Sequence, residues 1–104
     1  MYEYRVTKHR VIDGDTVEVT LDLGFSIEHT VTVRLLGVDT PERNDQQWEK
    51  AKIFTSQWMT DEQHIVLRTF KDRTGKYGRY LGDFIGTHNT LAGVLLEEGL
   101  AKPM

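Results

Sequence analysis

Length, composition and charge describe a small chain of ordinary hydrophobicity. It has 104 residues, of which 38% are hydrophobic and 28% charged. This length fits one domain, residues 1–104, with one modest core. No apolar run approaches the roughly 18 residues needed to cross a bilayer, so no membrane association is expected. The chain has no cysteine, which excludes disulfides and thiolate metal sites.

The N-terminus lacks the charged and apolar regions of a signal peptide. We therefore expect a cytosolic protein, a phage-encoded protein, or the mature part of a secreted one.

The charge distribution is more informative than the total. A net charge of −3 is unusual for a nucleic-acid binder. However, four of the acidic residues, Asp13, Asp15, Asp39 and Glu42, lie at two predicted turns. The rest of the chain has 12 acidic and 13 basic residues. A basic stripe also occupies residues 68–79, where only Asp72 opposes Arg68, Lys71, Arg73, Lys76 and Arg79. This pattern suits an enzyme that holds a cation and a polyanion together, although charge alone fits a solvated loop equally well.

The first part of the chain predicts three strands, at residues 2–12, 16–23 and 31–36. The second alternates between apolar and polar residues, which is typical of a half-buried antiparallel strand. Its apolar face consists of Val17, Val19 and Leu21. The segment Asp13-Gly14-Asp15 is a strong turn signal between the first two strands.

A helix is predicted from Asp45 to about Met59. Asn44 is a suitable N-cap, and Gln47 three residues later completes a pattern like a capping box. Apolar residues then follow at helical spacing. Trp48 and Trp58 lie on this face, and we interpret both as core anchors rather than ligand platforms.

The rest of the chain predicts two strands and a short helix. The strands cover residues 64–70 and 79–85, with a polar loop at 71–78 between them. The helix begins at Asn89 or Thr90 and ends at Gly99, the expected left-handed stop. The resulting order, β-β-β-α-β-β-α, predicts an α+β fold with a five-stranded OB-fold barrel, an architecture that commonly binds oligonucleotides and oligosaccharides.

Two acidic turns are candidate ligands for a hard cation. Asp15 and Asp39 each follow a strand, and Pro41 restrains the carbonyl of Thr40. Calcium takes carboxylate, carbonyl and water oxygens of this kind. For Asp13 a turn-forming role is the simpler interpretation.

Three further residues could act on a phosphodiester. Glu42 is close enough to Asp39 in sequence to hold a water beside a bound phosphate. Arg34 and Arg79 could each donate two parallel hydrogen bonds to phosphate oxygens. The alternative is that Arg34 is an exposed strand residue and Arg79 a loop charge.

Four segments in the same order resemble the staphylococcal nuclease (thermonuclease) family. They are residues 11–17, residues 34–42, Lys76-Tyr77-Gly78-Arg79 and Glu98-Gly99-Leu100-Ala101. The resemblance covers nearly the whole chain. It implies an OB-fold, calcium-dependent endonuclease that cuts DNA and RNA, single-stranded or locally melted, and leaves 3′-phosphate ends.

The resemblance also implies a role for each matched residue. Asp15 and Asp39 would bind calcium by their carboxylates and Thr40 by its carbonyl, and Asp13 would support the site. Glu42 would be the general base or position the water. Arg34 and Arg79 would bind phosphate and stabilise the transition state, and the residues contacting a neighbouring phosphate would be Lys76 and Tyr77.

The alternative is a catalytically silent OB module that binds single-stranded nucleic acid or a protein partner. A silent copy usually loses a carboxylate or an arginine, and this chain keeps Asp15, Arg34, Asp39, Glu42 and Arg79. We therefore favour the enzyme, with no obligate protein partner.

Overall fold

Five strands close into a barrel. The computed structural model of the chain describes residues 2–74 and 79–104, with side chains for 2–69 and 79–104. The barrel strands follow the order β1-β2-β3-β6-β5, which confirms the predicted OB-type fold. Their bounds are β1 Tyr2–Asp13, β2 Thr16–Asp22, β3 Glu28–Leu35, β5 Val66–Thr74 and β6 Tyr80–Ile85.

Strand register determines which residues meet at the barrel wall. β1, β2 and β3 form an antiparallel meander, in which Thr16 lies opposite Arg34. β5 pairs antiparallel with both β1 and β6. The barrel closes through a parallel pair, β3 with β6, in which Val33 lies opposite Tyr80.

The barrel interior is filled by the predicted inward faces. Val17, Val19 and Leu21 are buried, as their alternation along β2 predicts. Leu67 and Phe84 extend the same core from β5 and β6, and both are almost fully buried. The described part of the barrel interior is therefore a packed apolar core.

The first helix begins later than the sequence predicts. α1 spans Trp48–Asp61 and its N-cap is Gln47, which makes no side-chain capping bond. The predicted capping box of Asn44 and Gln47 is therefore wrong. Instead, the Gln47 N–H donates to the Asp45 carboxylate at 2.8 Å, inside a turn in which the Trp48 N–H donates to the Asp45 carbonyl at 3.1 Å.

Some elements extend beyond the predicted ones. β5 continues to Thr74, into the stretch predicted as loop. Two short strands, β4 Val38–Asp39 and β7 Lys102–Pro103, pair antiparallel outside the barrel. Two-residue strands have no periodicity from which they could be predicted.

The second helix matches its sequence signals. α2 spans Leu91–Glu97, and the Thr90 side chain caps it by accepting from the Gly93 N–H at 3.1 Å. Gly99 has a φ of 70°, as expected for the residue that ends the helix. Asp83 joins the helix to β6 by accepting from the N–H groups of Phe84 and Ala92, and burial raises the pKa of this carboxyl.

No helix within the described residues is both long enough and apolar enough to cross a membrane.

A buried hydrogen bond fixes α1 against the first acidic turn. The Thr55 hydroxyl donates to the Gly14 carbonyl at 2.6 Å. Gly14 itself lies so close to the helix that an added Cβ would be 2.8 Å from the Ala51 Cβ. The turn therefore requires glycine at this position.

We predict that Thr55→Val destabilises the fold by about 1–3 kcal/mol, because it leaves the buried Gly14 carbonyl without its donor. Thr69→Val is the matched control. Thr69 is equally buried, but its hydroxyl has no partner in the described part of the chain. Urea unfolding should show a lower free energy of unfolding for Thr55→Val and an unchanged one for Thr69→Val. Equal losses would contradict this assignment.

Candidate active site

The candidate site lies where the β1–β2 turn meets the end of β3. The Leu35 N–H donates to the Asp15 carbonyl at 2.8 Å, which joins this turn to the strand end. Because Thr16 lies opposite Arg34, the Asp15 side chain is placed beside Arg34. The register of β2 and β3 thus creates the site.

Asp15 is a buried carboxylate with a complete set of partners. Its Oδ2 accepts from the Thr40 N–H at 3.0 Å, and its Oδ1 accepts from the Thr16 hydroxyl at 3.1 Å. Oδ2 also lies 3.2 Å from Nη2 of Arg34. This carboxylate therefore holds the segment after β4 against the β1–β2 turn.

Arg34 is the central cation of the site. Its Nη2 lies 3.2 Å from Asp15 Oδ2 and 3.0 Å from Asp39 Oδ1. Its Nη1 donates to the carbonyls of Leu35 and Val38, at 2.8 and 2.7 Å. The side chain is only 15% exposed. The alternative that Arg34 is merely an exposed strand residue is therefore wrong.

Asp13 connects the first acidic turn to α1. Its Oδ1 accepts from the Trp48 indole N–H at 2.7 Å. The Trp48 ring also has Arg43 and Lys52 over it, at 5.3 and 5.0 Å from the ring centroid. Trp48 thus anchors the helix start to the turn and stays partly exposed, whereas Trp58 is a buried core residue.

A cleft of about 360 Å³ brings most of the predicted residues together. Seven of the nine predicted site residues line it: Asp13, Asp15, Arg34, Asp39, Thr40, Glu42 and Arg79. The other two, Lys76 and Tyr77, lie outside the described residues.

Sequence reasoning missed two polar residues of the cleft wall, Thr16 and Arg43. The signal for each was its position beside a predicted residue, since Thr16 follows Asp15 and Arg43 follows Glu42.

The donor set can satisfy part of a calcium shell. Among the described residues, no group of three or more His, Cys, Asp or Glu side chains could hold a metal. Asp15 and Asp39 nevertheless place carboxylate oxygens within 3.2 Å of the same Arg34 nitrogen, so both already face one positive charge. Oxygen-only donors of this kind fit a hard cation, with carbonyls, waters or a phosphate completing its coordination.

The fold and cleft together define a small OB-type barrel with acidic and guanidinium groups in one site. The family described as Staphylococcal nuclease homologue matches residues 32–104. This chain belongs to that family.

Two curated relatives are similar to the chain. Protein ParB of Escherichia coli is 37% identical over 73 residues, which cover 70% of this chain and 37% of that protein. The SPbeta prophage-derived endonuclease YokF of Bacillus subtilis (strain 168) is 32% identical over 103 residues, which cover 93% of this chain and 33% of that protein. The chain therefore spans about a third of the length of these relatives.

We predict that Arg34→Met destabilises the protein by about 3–5 kcal/mol, because the buried Asp15 carboxylate would lose its ionic partner. Arg10→Met is the control. Arg10 pairs with Glu18 at 3.2 Å, but both side chains are exposed and solvent screens their interaction. The melting temperature should fall clearly in Arg34→Met and change little in Arg10→Met. Similar midpoints would show that Arg34 is not the structural centre of the site.

Proposed function

We propose that this protein is a calcium-dependent endonuclease that hydrolyses phosphodiester bonds in DNA and RNA, with little sequence or sugar specificity. The observation that carries the proposal is one cleft in which Asp15 and Asp39 face the Arg34 guanidinium, and which a glutamate and two further arginines also line. Family membership supports it, as does a relative named as an endonuclease.

Three residues would hold the calcium ion: Asp15 and Asp39 by their carboxylates, and Thr40 by its carbonyl. Bound calcium supplies positive charge that polarises a phosphate and offsets its charge. The proline after Thr40 restrains this carbonyl. The Thr40 N–H bond to Asp15 keeps two of the three donors in register.

Arg34 and Arg79 have different roles in binding the phosphate. Both Nη atoms of Arg34 already bond acceptors within the protein. Its main task is therefore to hold Asp15 and Asp39 in place while adding positive charge to the cleft floor. Arg79 lines the same cleft from the start of β6, and its planar guanidinium is suited to donate to two phosphate oxygens.

Glu42 serves as the general base. It lies in the cleft wall one residue beyond Pro41, where its carboxylate can accept a proton from a water molecule. The resulting hydroxide forms a bond to phosphorus, and the bond from phosphorus to the 5′ oxygen breaks. That oxygen takes a proton from solvent, so the products are a 3′-phosphate and a 5′-hydroxyl. Arg79 stabilises the charge that develops on the phosphate oxygens.

The substrate proposed is single-stranded or locally melted nucleic acid. The acidic residues of the cleft are opposed there by arginines, so a phosphate can enter without meeting only negative charge.

The direct test is cleavage of a short single-stranded oligonucleotide with calcium, magnesium or chelator. We predict cutting with calcium, little with magnesium because that ion demands tighter octahedral geometry, and none with chelator.

Glu42→Gln should lower kcat by about 10²–10⁴-fold, the usual contribution of general base catalysis. Its KM should change little, because Glu42 acts mainly in the transition state.

Asp61→Asn is the control for loss of one carboxylate, since Asp61 lies exposed at the end of α1 and bonds Gln57. Near-normal turnover by Glu42→Gln would overturn the role of that residue. Oligonucleotide binding without cutting at any calcium concentration would overturn the nuclease assignment and favour a silent binding module.

A further inference from the structure

A basic cluster lies where the rim of the cleft meets the start of α1. It consists of Arg43, Trp48 and Lys52, and we call it the rim cluster. Arg43 lines the cleft, and its guanidinium carbon lies 5.3 Å from the centre of the Trp48 ring. The Lys52 Nζ lies 5.0 Å from the same ring centre. One indole ring therefore holds two cations close together.

Arg43 keeps hydrogen-bond donors available for a ligand. Within the described residues, its guanidinium contacts the Trp48 ring rather than either of the carboxylates near it in sequence, Glu42 and Asp45. The Asp45 carboxylate instead accepts from the Gln47 N–H at 2.8 Å. A cation–π contact engages the charge of a guanidinium, whose N–H donors lie at the edge of its plane and can still bind an anion.

The Trp48 ring is a fixed support for this arginine. Its indole N–H donates to Asp13 Oδ1 at 2.7 Å, and the side chain is half-buried at the start of α1. Arg43, by contrast, is exposed to solvent. Contact with a fixed ring restricts the long arginine side chain, so the guanidinium is positioned before a ligand binds.

Arg43 lies in a different part of the cleft from the other two arginines. Arg34 and Arg79 are half-buried, and Arg34 pairs with the carboxylates of Asp15 and Asp39. Arg43 is exposed at the rim, away from this buried ion pair. A phosphate bound by Arg43 would therefore be a neighbour of the phosphate that is cut, rather than that phosphate itself.

We propose that the rim cluster binds the phosphate next to the cleaved one in the same strand, an inference that rests on the proposed nuclease function. Arg43 donates to this phosphate, Trp48 positions Arg43, and Lys52 adds positive charge where the strand leaves the cleft. Cations that contact only the backbone fix the position of a strand without reading its sequence. Because two cations already contact the ring, the cluster suits a phosphate rather than a stacked base.

The first test fixes the position of the strand by the bond that is cut. A single-stranded tetranucleotide would be cleaved with calcium at its central linkage, with each flanking linkage either a phosphate or an uncharged methylphosphonate. We expect a flanking position at which loss of charge lowers kcat/KM by about 3- to 20-fold in the unmodified protein, since the contact is charged but exposed. In Arg43→Gln the same change should have little further effect, because the missing charge and the missing side chain share one interaction.

Lys50→Gln is the control for loss of one positive charge. Lys50 is exposed on α1, and it is not one of the two cations over the Trp48 ring. This variant should keep the full methylphosphonate penalty, because its charge is outside the rim cluster.

Two variants of Trp48 test whether its ring positions Arg43. Trp48→Phe and Trp48→Leu both lose the hydrogen bond to Asp13, so they differ in whether an aromatic ring remains. Trp48→Phe should keep most of the methylphosphonate penalty, and Trp48→Leu should lose most of it. Both would be assayed well below their measured melting temperatures, so that unfolding does not contribute. Equal penalties in the two variants would show that the ring does not position the arginine.

A binding measurement tests the rim cluster without cleavage. The dissociation constant of a ten-nucleotide single-stranded DNA would be measured with calcium at several salt concentrations, for Glu42→Gln alone and combined with Arg43→Gln. Loss of one phosphate contact should reduce the slope of log Kd against log salt by about 0.7, the contribution of one phosphate in a single strand. An unchanged slope would overturn the phosphate contact even in a protein that never cuts.

The cleavage assay distinguishes failure of this inference from failure of the proposed function. Equal methylphosphonate penalties in the unmodified protein and in Arg43→Gln, at both flanking positions, would overturn the rim cluster as a phosphate site. Cleavage in that case would leave the nuclease function standing. If the slope falls as predicted but no strand is ever cut, the nuclease function fails and the phosphate contact of Arg43 stands.

Discussion

The arrangement of the site depends on the buried ion pair between Arg34 and Asp15. A buried pair is favourable only when other hydrogen bonds satisfy both partners, and here they do. Asp15 also accepts from Thr40 N–H, and Arg34 also donates to the carbonyls of Leu35 and Val38. The bond from Thr40 joins the segment after β4 to the β1–β2 turn, and the bond to Val38 joins β4 to the end of β3. One pair of charges therefore fixes all of these segments together.

The helix α1 supports this arrangement from the side. Thr55 bonds the Gly14 carbonyl, and Trp48 bonds the Asp13 carboxylate. The first acidic turn is therefore held both by the barrel and by the helix. Because the turn is held on both sides, its carboxylates are positioned before any ligand binds, although negative groups repel each other.

Much of the fold could be predicted from the sequence, since β2 shows a clear alternation and α2 has a threonine cap and a glycine stop. The start of α1 could not, because Asp45 uses its side chain in a local turn and so displaces the capping pattern of Asn44. For the site, the sequence indicated seven residues that line the cleft and missed Thr16 and Arg43. That Arg34 bonds the carboxylates Asp15 and Asp39 follows from strand register, which joins residues far apart in sequence.

The role of the carboxylates as calcium ligands is tested most directly by a calorimetric titration of calcium into the unmodified protein and into Asp39→Asn. We predict one calcium per chain and a dissociation constant at least about tenfold higher in the variant, because affinity depends on the number of charged ligands. Asp61→Asn, which removes an exposed carboxylate away from the cleft, should bind as the unmodified protein does. The absence of calcium binding, or equal affinity in Asp39→Asn and the unmodified protein, would show that the cleft does not bind calcium through Asp39.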